Sequence, residues 1–269
     1  MASATKVEFA VQMTCQKCVD NIKNTLEGID GVSSIDINLA QEQVIIESIL
    51  PSSQLLELLE STGRRAVVKG QGTSTDKHLG AAVSVLDTPR HGPVTGVIRM
   101  VQLAENRCII EGTVDGLTPG AHGLNIHEYG DISDGCNSCG MHFNPTNLRH
   151  GGPENDERHH GDLGNVVAGE DGRARFRVEN DRIKVWDVIG RCMVIHSRED
   201  DLGRGGTPTS RTDGNSGPGL ACGIIARSAG LFENTKKICQ CDGVSVWDER
   251  DVPLAGPGRQ RHGQTASQL

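Results

Sequence analysis

Hydrophobic and polar positions in the first quarter of the chain change between two periods. Strand-like alternation covers Lys6–Gln12, and helical spacing of apolar residues follows over Cys18–Gly28. Two more strands, a helix that Pro51 opens and Gly63 ends, and a final strand complete a β-α-β-β-α-β order. These later strands are Val32–Leu39, Gln43–Ser48 and Arg65–Lys69.

Between Leu79 and about Ser228 the pattern changes to short strand-like runs separated by glycine turns. Such runs predict an all-β sandwich or barrel. Two long interruptions, Asp131–Gly164 and Ser197–Leu220, are rich in Gly, Asp and His. Loops of this length are usually functional or disordered, and the histidines favour a functional role. The predicted strands are Ala81–Leu86, Thr95–Leu103, Arg107–Val114, Gly120–Tyr129, Val166–Gly169, Arg173–Val178, Ile183–Ile195 and Ala221–Ala226.

Composition shifts predict four segments: a small α+β domain of ferredoxin-like topology at 1–70, a polar Gly-rich linker at 71–78, the all-β domain at 79–228 and a tail at 229–269. The tail has too few apolar residues for a core of its own, so we expect it to be short and mostly irregular.

The charge balance limits the classes of partner. With 27 basic against 35 acidic residues, the 269-residue chain has a formal charge of −8 and no overall attraction for nucleic acid. The N-terminal residues lack the order of a signal peptide, and no apolar run approaches the roughly 20 residues that span a bilayer. We therefore expect an unexported, cytoplasmic protein without nucleic-acid binding or membrane insertion.

Cysteine and histidine usage indicates metal chemistry. The nine cysteines include the pairs Cys15/Cys18, Cys136/Cys139 and Cys239/Cys241, and seven of the ten histidines lie between positions 122 and 196. In a reducing compartment, closely spaced thiols favour metal binding or redox work over structural disulfides.

Cys15 and Cys18 lie between the first predicted strand and the first helix. Unpaired N–H groups and the positive end of the helix dipole stabilise thiolates there, and two thiolates suit Cu(I). A thioredoxin-like redox pair and an incidental pair of cysteines are the alternatives. The M-x-C-x-x-C pattern within this unit resembles the heavy-metal-associated copper chaperone family.

The first long interruption contains a candidate zinc site with an N/O ligand set that fits tetrahedral zinc. Asn125 and His127 alternate on one predicted strand, so both side chains project from one face. His127, with His142 and His196, is the candidate ligand set of a second, copper-type site. The zinc candidates are His142, His150, His159 and Asp162.

The segments GAHGLNIHEYGD, GCNSCGMHFNP, HGGPENDERHHGDLGNV, DDLGRGG and GNSGPGLACGIIA resemble Cu/Zn superoxide dismutase along nearly all of Leu79–Ser228. The resemblance implies an all-β Greek-key sandwich or barrel with the same zinc and copper ligand sets. It also implies a supporting role for Asp200 behind the zinc ligands and a disulfide between Cys136 and Cys222. Cys108 and Cys192 are predicted to be buried thiols instead of ligands.

Two departures from that family matter more. Asn125 stands where the family has a copper histidine, and Gly219 stands where it has an arginine that guides superoxide. An amide is a poor substitute for imidazole on copper, and the missing guanidinium removes an attractive charge. We expect zinc binding to survive, dismutase catalysis to be lost, and the domain to be kept for its shape and dimer surface.

In an extended tail, Cys239 and Cys241 have Cα atoms about 6.6 Å apart, which is long for an easy disulfide and tolerable for two thiolates on one linear ion. Both are therefore candidate copper ligands. The full order of domains resembles the family of copper chaperones that serve Cu/Zn superoxide dismutase. That resemblance implies a cytosolic protein that binds Cu(I) and Zn(II), forms a heterodimer with the dismutase and promotes its disulfide through the tail. It also allows a homodimer and a mitochondrial intermembrane-space or nuclear pool.

The expected mechanism passes Cu(I) from thiolate to thiolate and then to imidazole, and Cys239 or Cys241 forms a mixed disulfide with the partner. Two other hypotheses stay open. One is an active dismutase with an appended metal-delivery domain, and the other is a passive copper and zinc buffer.

Overall fold

Two sheets organise the part of the chain that the computed structural model describes, which is residues 3–73, 79–87, 92–234 and 247. The first sheet has four strands in the order β2-β3-β1-β4. Its elements are β1 (Thr5–Val11), α1 (Gln16–Leu26), β2 (Val32–Asn38), β3 (Gln43–Ser48), α2 (Ser52–Ser61) and β4 (Ala66–Gly72). The predicted β-α-β-β-α-β order is confirmed.

Helical spacing explains how this sheet is covered. Cys18, Ile22 and Leu26 recur every fourth residue on α1, and all three are buried with Leu55 and Leu59 of α2 in one apolar core. The core therefore holds the start of α1, including Cys18, at a fixed position over the sheet.

The end of β4 differs from the prediction. The predicted strand ends at Lys69 and the predicted linker begins at Gln71, yet the strand continues to Gly72. A Cβ at Gly70 would lie 2.2 Å from the carbonyl oxygen of Gly230, and the side chain of Leu231 packs over Gly72. Glycine is needed here because another segment of backbone lies against the strand.

The second sheet is a closed eight-stranded barrel in the order β10-β7-β6-β5-β12-β11-β8-β9. All its strand pairs are antiparallel, and the register Ala174↔Ala168 closes the ring. The all-β Greek-key prediction is confirmed. The strands are β5 (Ala81–Asp87), β6 (Thr95–Ala104), β7 (Arg107–Asp115), β8 (Gly120–His127), β9 (Asp162–Ala168), β10 (Ala174–Asn180), β11 (Cys192–His196) and β12 (Gly219–Arg227).

The prediction of one strand over Ile183–Ile195 is wrong. A short helix, α3 (Val185–Val188), and a turn precede β11, which begins only at Cys192. Val185 and Val188 are buried three residues apart, as on a helix, and Gly190 has φ +84° in the turn. A second short helix, α4 (Ser210–Asp213), lies in the second long interruption. None of the described helices is long and apolar enough to cross a membrane.

A buried carboxylate joins the two sheets. Glu111 of β7 accepts hydrogen bonds from the backbone N–H of Ser52 at the start of α2 (3.0 Å) and from Gln71 Nε2 (2.8 Å). Arg177 of β10 donates to the other carboxylate oxygen and reaches Thr5 Oγ1 of β1 at 3.1 Å. A charge placed at a helix N-terminus and paired with a buried guanidinium fixes this junction.

Replacing Glu111 by alanine should therefore destabilise the chain. The buried guanidinium would lose its carboxylate, which costs about 3–5 kcal/mol in comparable buried pairs. Glu179→Ala is the control, because Glu179 faces Arg107 in an exposed pair (3.8 Å) and such pairs contribute about 0–1 kcal/mol. Urea unfolding measures both variants, and equal stability of the two would contradict the assigned role of Glu111.

Candidate metal centres

The first candidate centre is the thiol pair at the start of α1. Cys15 occupies the N-cap position and Cys18 lies in the first turn, so their sulfurs are 3.5 Å apart. Cys15 is exposed, whereas Cys18 is buried against the apolar core. The pair therefore presents one accessible and one anchored sulfur to a soft ion.

The surroundings of Cys18 favour its thiolate. A hydrogen bond with the backbone of Thr14 is the main cause, aided by contacts with Cys15, and together they lower the pKa of Cys18 to about 7 against the opposing effect of burial. A large fraction of Cys18 is therefore thiolate at neutral pH, the form that binds metal and exchanges ligands.

The four predicted zinc ligands converge on one buried point. The Nδ1 atoms of His142, His150 and His159 lie 2.8, 3.0 and 3.2 Å from the same oxygen, Asp162 Oδ1. The other oxygen of Asp162 accepts the backbone N–H groups of Gly151 and His159, which fixes the carboxylate. The loop and the start of β9 thus bring together the residues that the sequence indicated.

This arrangement fits a zinc ion. The Nδ1 atoms of His150 and His159 are buried without a hydrogen-bond partner, and one carboxylate oxygen cannot serve three ring nitrogens. A cation between the four ligand atoms would satisfy all of them, and three nitrogens with one oxygen form a common zinc set. Asp200 accepts from His150 Nε2 at 2.8 Å and orients that ring from behind.

Two carboxylates lie against His150. Burial disfavours the charged form of this ring, but the negative charges of Asp162 and Asp200, together with the hydrogen bond to Asp200, outweigh burial and raise the pKa of His150 to about 9. The same contacts hold the pKa of Asp162 well below its usual range despite burial. Protons and a metal ion therefore compete for this cluster.

The copper-type candidates also come together. The Nε2 atoms of His127 and His196 face each other at 3.2 Å, and both rings use Nδ1 to donate to backbone carbonyls, those of Gly140 and Gly217. Burial lowers the pKa of His127 to about 3 and that of His196 to about 4, so both rings are neutral. The two unprotonated Nε2 atoms therefore face each other and repel, and a cation bound between them would remove this repulsion.

Asn125 changes the third member of that group. Its Nδ2 lies 3.0 Å from His142 Nε2, the nitrogen on the copper side, while its Oδ1 is buried without a partner. His142 Nδ1 donates to Asp162 Oδ1 at 2.8 Å, so Nε2 accepts from the Asn125 amide. Rotation of the amide by half a turn would let Asn125 Oδ1 accept from a protonated Nε2, and Nδ1 would then be free to bind a zinc ion beside Asp162.

The remaining predicted positions have mixed outcomes. Cys136 and Cys222 are thiols in this structure, where a hydrogen bond to Cys222 and burial raise the pKa of Cys136, and their disulfide stays a prediction. Cys108 is buried as predicted, and burial raises its pKa to about 12. Cys239 and Cys241 lie outside the described residues.

Gly219 has a role in packing that the sequence did not indicate. A Cβ at this position would lie 2.5 Å from the Cβ of Cys136 and 2.9 Å from its sulfur. The space that a side chain would need is thus filled by Cys136. An arginine at position 219 would therefore collide with the Cys136 side chain where that side chain now lies.

The fold and these centres define a class of protein, a heavy-metal-associated domain joined to a dismutase-like barrel. The family model for the heavy-metal-associated domain matches residues 8–77, and that for copper/zinc superoxide dismutase matches residues 94–225. A crystal structure of the clock protein EA4 is similar, with a TM-score of 0.52 and 39% identity over 56% of this chain and 97% of that one.

Curated relatives identify the family. The chain is 56% identical to the copper chaperone for superoxide dismutase of Homo sapiens over 98% of this chain and 95% of that protein. It is also 56% identical to that of Mus musculus with the same coverage, and 38% identical to the chloroplastic one of Oryza sativa subsp. japonica over 90% and 70%. The chain belongs to the family of copper chaperones for superoxide dismutase.

Proposed function

We propose that this chain carries Cu(I) on Cys15 and Cys18 and delivers it to a Cu/Zn superoxide dismutase. The observation that carries the proposal is the pair of sulfurs 3.5 Å apart at an exposed helix start, with the pKa of Cys18 near 7. The family of the chain and its heavy-metal-associated domain support the same conclusion.

Ligand exchange explains how copper leaves such a pair. Cys15 is exposed and can be approached by a ligand from another protein, whereas Cys18 holds the ion from the protein side. An incoming sulfur or nitrogen adds to the ion before a thiolate departs, so copper is never free in solution. The copper is cargo in this step, and its oxidation state does not change.

The barrel supplies a surface for the client. Three large apolar side chains are well exposed on one side, namely Val85 (56%), Ile189 (42%) and Ile224 (40%). Ile225 pairs with Ser84 across β12 and β5, so Ile224 and Val85 are neighbours on the outer face. A Cβ at Gly130, in the loop after β8, would lie 3.4 Å from Ile224, so we add the exposed neighbours of Gly130 in this loop, Tyr129 and Ile132, to what we call the apolar patch.

We assign the apolar patch to heterodimer formation with the client dismutase, whose subunits resemble this barrel. A surface that binds a second copy of its own barrel can also bind a related barrel. A homodimer through the apolar patch therefore competes with the heterodimer. Copper transfer then occurs while the two barrels are held together.

Changing Ile224 to glutamate is expected to weaken client binding by at least about 30-fold, or about 2 kcal/mol, because a charge would be buried at the centre of the contact. Val167→Glu is the matched control, since Val167 is 67% exposed on β9. Analytical ultracentrifugation with copper-free client measures both, and equal binding by the two variants would rule out the patch.

The barrel is not proposed to be an enzyme. The amide of Asn125 occupies the copper side of His142, and Gly219 offers no cationic side chain for superoxide. Zinc at His142, His150, His159 and Asp162 would act as a structural crosslink between the long loop and the barrel. The alternative of an active dismutase predicts superoxide turnover by the copper- and zinc-loaded chain.

The tail is proposed to pass a disulfide to the client. A client thiolate attacks a Cys239–Cys241 disulfide and forms a mixed disulfide, and a second client thiolate then displaces the tail, which leaves as a dithiol. The client loses two electrons and the tail gains them.

Replacing both Cys239 and Cys241 by serine should leave the client reduced and inactive. Activation of copper-free, disulfide-reduced client is expected to fall to background, whereas a client whose disulfide is already formed should still accept copper from Cys15 and Cys18. Full activation of reduced client by the double variant would refute the role of the tail.

The function itself is tested by mixing the copper-loaded chain with copper-free, zinc-loaded dismutase in excess Cu(I) chelator. The proposal expects dismutase activity to rise with the chain and not with copper salt. A passive buffer would give no rise with either. Cys15 and Cys18 must stay reduced to carry Cu(I), which supports a cytoplasmic location. Fractionation of cells would test that location.

A further inference from the structure

Four thiols from three separate segments meet beneath the loop that follows β8. Cys139 from the 3-10 turn Gly135–Cys139, Cys192 from β11 and Cys222 from β12 have sulfurs within 4.8 Å of one another, and Cys136 borders them. We call these four residues the thiol cluster. Cys139 and Cys192 are 0% exposed and Cys222 is 1% exposed, whereas Cys136 is half-buried.

The cluster lies apart from the barrel core. Met193 and Ile195 of β11 point into the main core, whereas Cys192 and Val194 alternate with them and face outward into a separate group. Cys222 pairs directly with Val194, which makes Cys192 and Cys222 diagonal neighbours on that outer face. The loop carrying Cys136 and Cys139 covers this face.

The sulfurs of the thiol cluster contact one another, because Cys139 shares hydrogen bonds with both Cys192 and Cys222. The Cys139 sulfur has long contacts with the carbonyl oxygens of Asp131 (3.5 Å) and Gly135 (3.8 Å), weak interactions for a buried thiol. No histidine or carboxylate belongs to this three-sulfur group, unlike the zinc centre. The ligand chemistry is therefore entirely soft.

We infer that the reduced thiol cluster is a second Cu(I) site, with Cys139, Cys192 and Cys222 as ligands and Cys136 as the sulfur through which the ion enters. The sulfur of Cys136 is not among the three that converge, so the site lacks the fourth ligand that closed zinc sites use, and three sulfurs suit a monovalent soft ion. The Cys136 side chain can lie here because Gly219 has no side chain to occupy the same space.

The thiol cluster lies beside the apolar patch. Ile224 of the apolar patch lies two residues after Cys222 on β12, and Ile132 lies in the covering loop. Copper in the cluster is thus held beside the surface proposed to meet the client. Since a Cys136–Cys222 disulfide would consume one ligand, copper binding here and that disulfide exclude each other.

The test uses the full-length, reduced, zinc-loaded chain with Cys15, Cys18, Cys239 and Cys241 all changed to serine, which removes the other soft sites. Titration with Cu(I) against a chromophoric chelator should show one tightly held ion per chain. Adding Cys192→Ser or, independently, Cys139→Ser should reduce the affinity at least about 100-fold, beyond the usual 10- to 100-fold cost of losing a supporting residue. Cys108→Ser, a buried cysteine outside the cluster, should leave the affinity unchanged.

X-ray absorption of the bound copper should show sulfur neighbours. No Cu(I) uptake by the reduced chain, equal affinity after both cluster substitutions, or nitrogen neighbours alone, as expected at His127 and His196, would overturn the inference. The inference assumes that the chain handles Cu(I), as proposed above. Client activation by the unmodified chain with an empty cluster would refute this site alone, and copper in the cluster without client activation would refute the proposed function alone.

Discussion

A chain with serine in place of both Cys15 and Cys18 is expected to lose its copper-acquiring site and to deliver no copper. Both sulfurs that converge at the start of α1 would be replaced by hard hydroxyl groups that do not suit Cu(I). We expect the Cu(I) affinity of this domain to fall by at least about 1000-fold, which corresponds to about 4 kcal/mol. Chelator competition measures the affinity, and client activation measures delivery.

The matched control changes Gln16 and Lys17 to serine, because both are exposed neighbours on the same turn and carry no thiol. This control should bind and deliver copper normally. If the cysteine variant still activates the client at the rate of the control, the pair at α1 is not the carrier.

Changing Asp162 to alanine is expected to remove zinc and to destabilise the barrel. Its carboxylate holds the backbone N–H groups of Gly151 and His159 and lies at the centre of three histidine rings. Loss of these charge-assisted contacts should cost about 3–5 kcal/mol, the range for a buried ionic partner that is removed. Dialysis followed by metal analysis should find no zinc in the barrel, and thermal unfolding should occur well below that of the unmodified chain.

Glu170→Ala serves as the control, since Glu170 is an exposed acid that follows β9 in the same region. It should keep one zinc and unfold with the unmodified chain. Retention of zinc by the Asp162 variant, or equal unfolding temperatures for the two variants, would contradict the assignment of this centre.

Local periodicity was enough to predict most of the fold. The core-facing residues of α1 follow strict i, i+4 spacing, and β3 was predicted with its observed bounds because it alternates cleanly. The prediction of one strand over 183–195 was wrong because the apolar residues of a short helix and of the following strand form one continuous run in the sequence. The predicted start of the linker was wrong because Gly70 and Gly72 allow another segment of the chain to pack closely against the strand, and do not mark a flexible segment.

The zinc cluster could be predicted because its ligands lie in one segment of the sequence. The thiol cluster could not, because strand pairing in the barrel brings its residues together from separate segments. His142, His150, His159 and Asp162 lie close together in sequence, so their convergence could be expected. Cys192 was predicted to be a buried thiol, and nothing local shows that barrel closure places it beside Cys139 and Cys222. The spacing of Cys136 and Cys139 was the one available signal for that cluster.

Asn125 shows a further limit of sequence reasoning. Its residue type indicates a lost copper ligand, but only the structure shows the amide 3.0 Å from His142 Nε2 with an orphaned oxygen beside it. Asn125 therefore contacts the ring nitrogen of His142 that faces away from Asp162, which the residue type alone does not indicate.

The most direct test of copper delivery follows the metal atom itself. The chain is loaded with one stable copper isotope, mixed with copper-free dismutase in a chelator pool containing another, and the client is isolated for mass spectrometry. Direct transfer predicts that client copper carries the isotope of the chain and that Ile224→Glu abolishes this enrichment. Client copper with the isotope ratio of the pool would contradict the account.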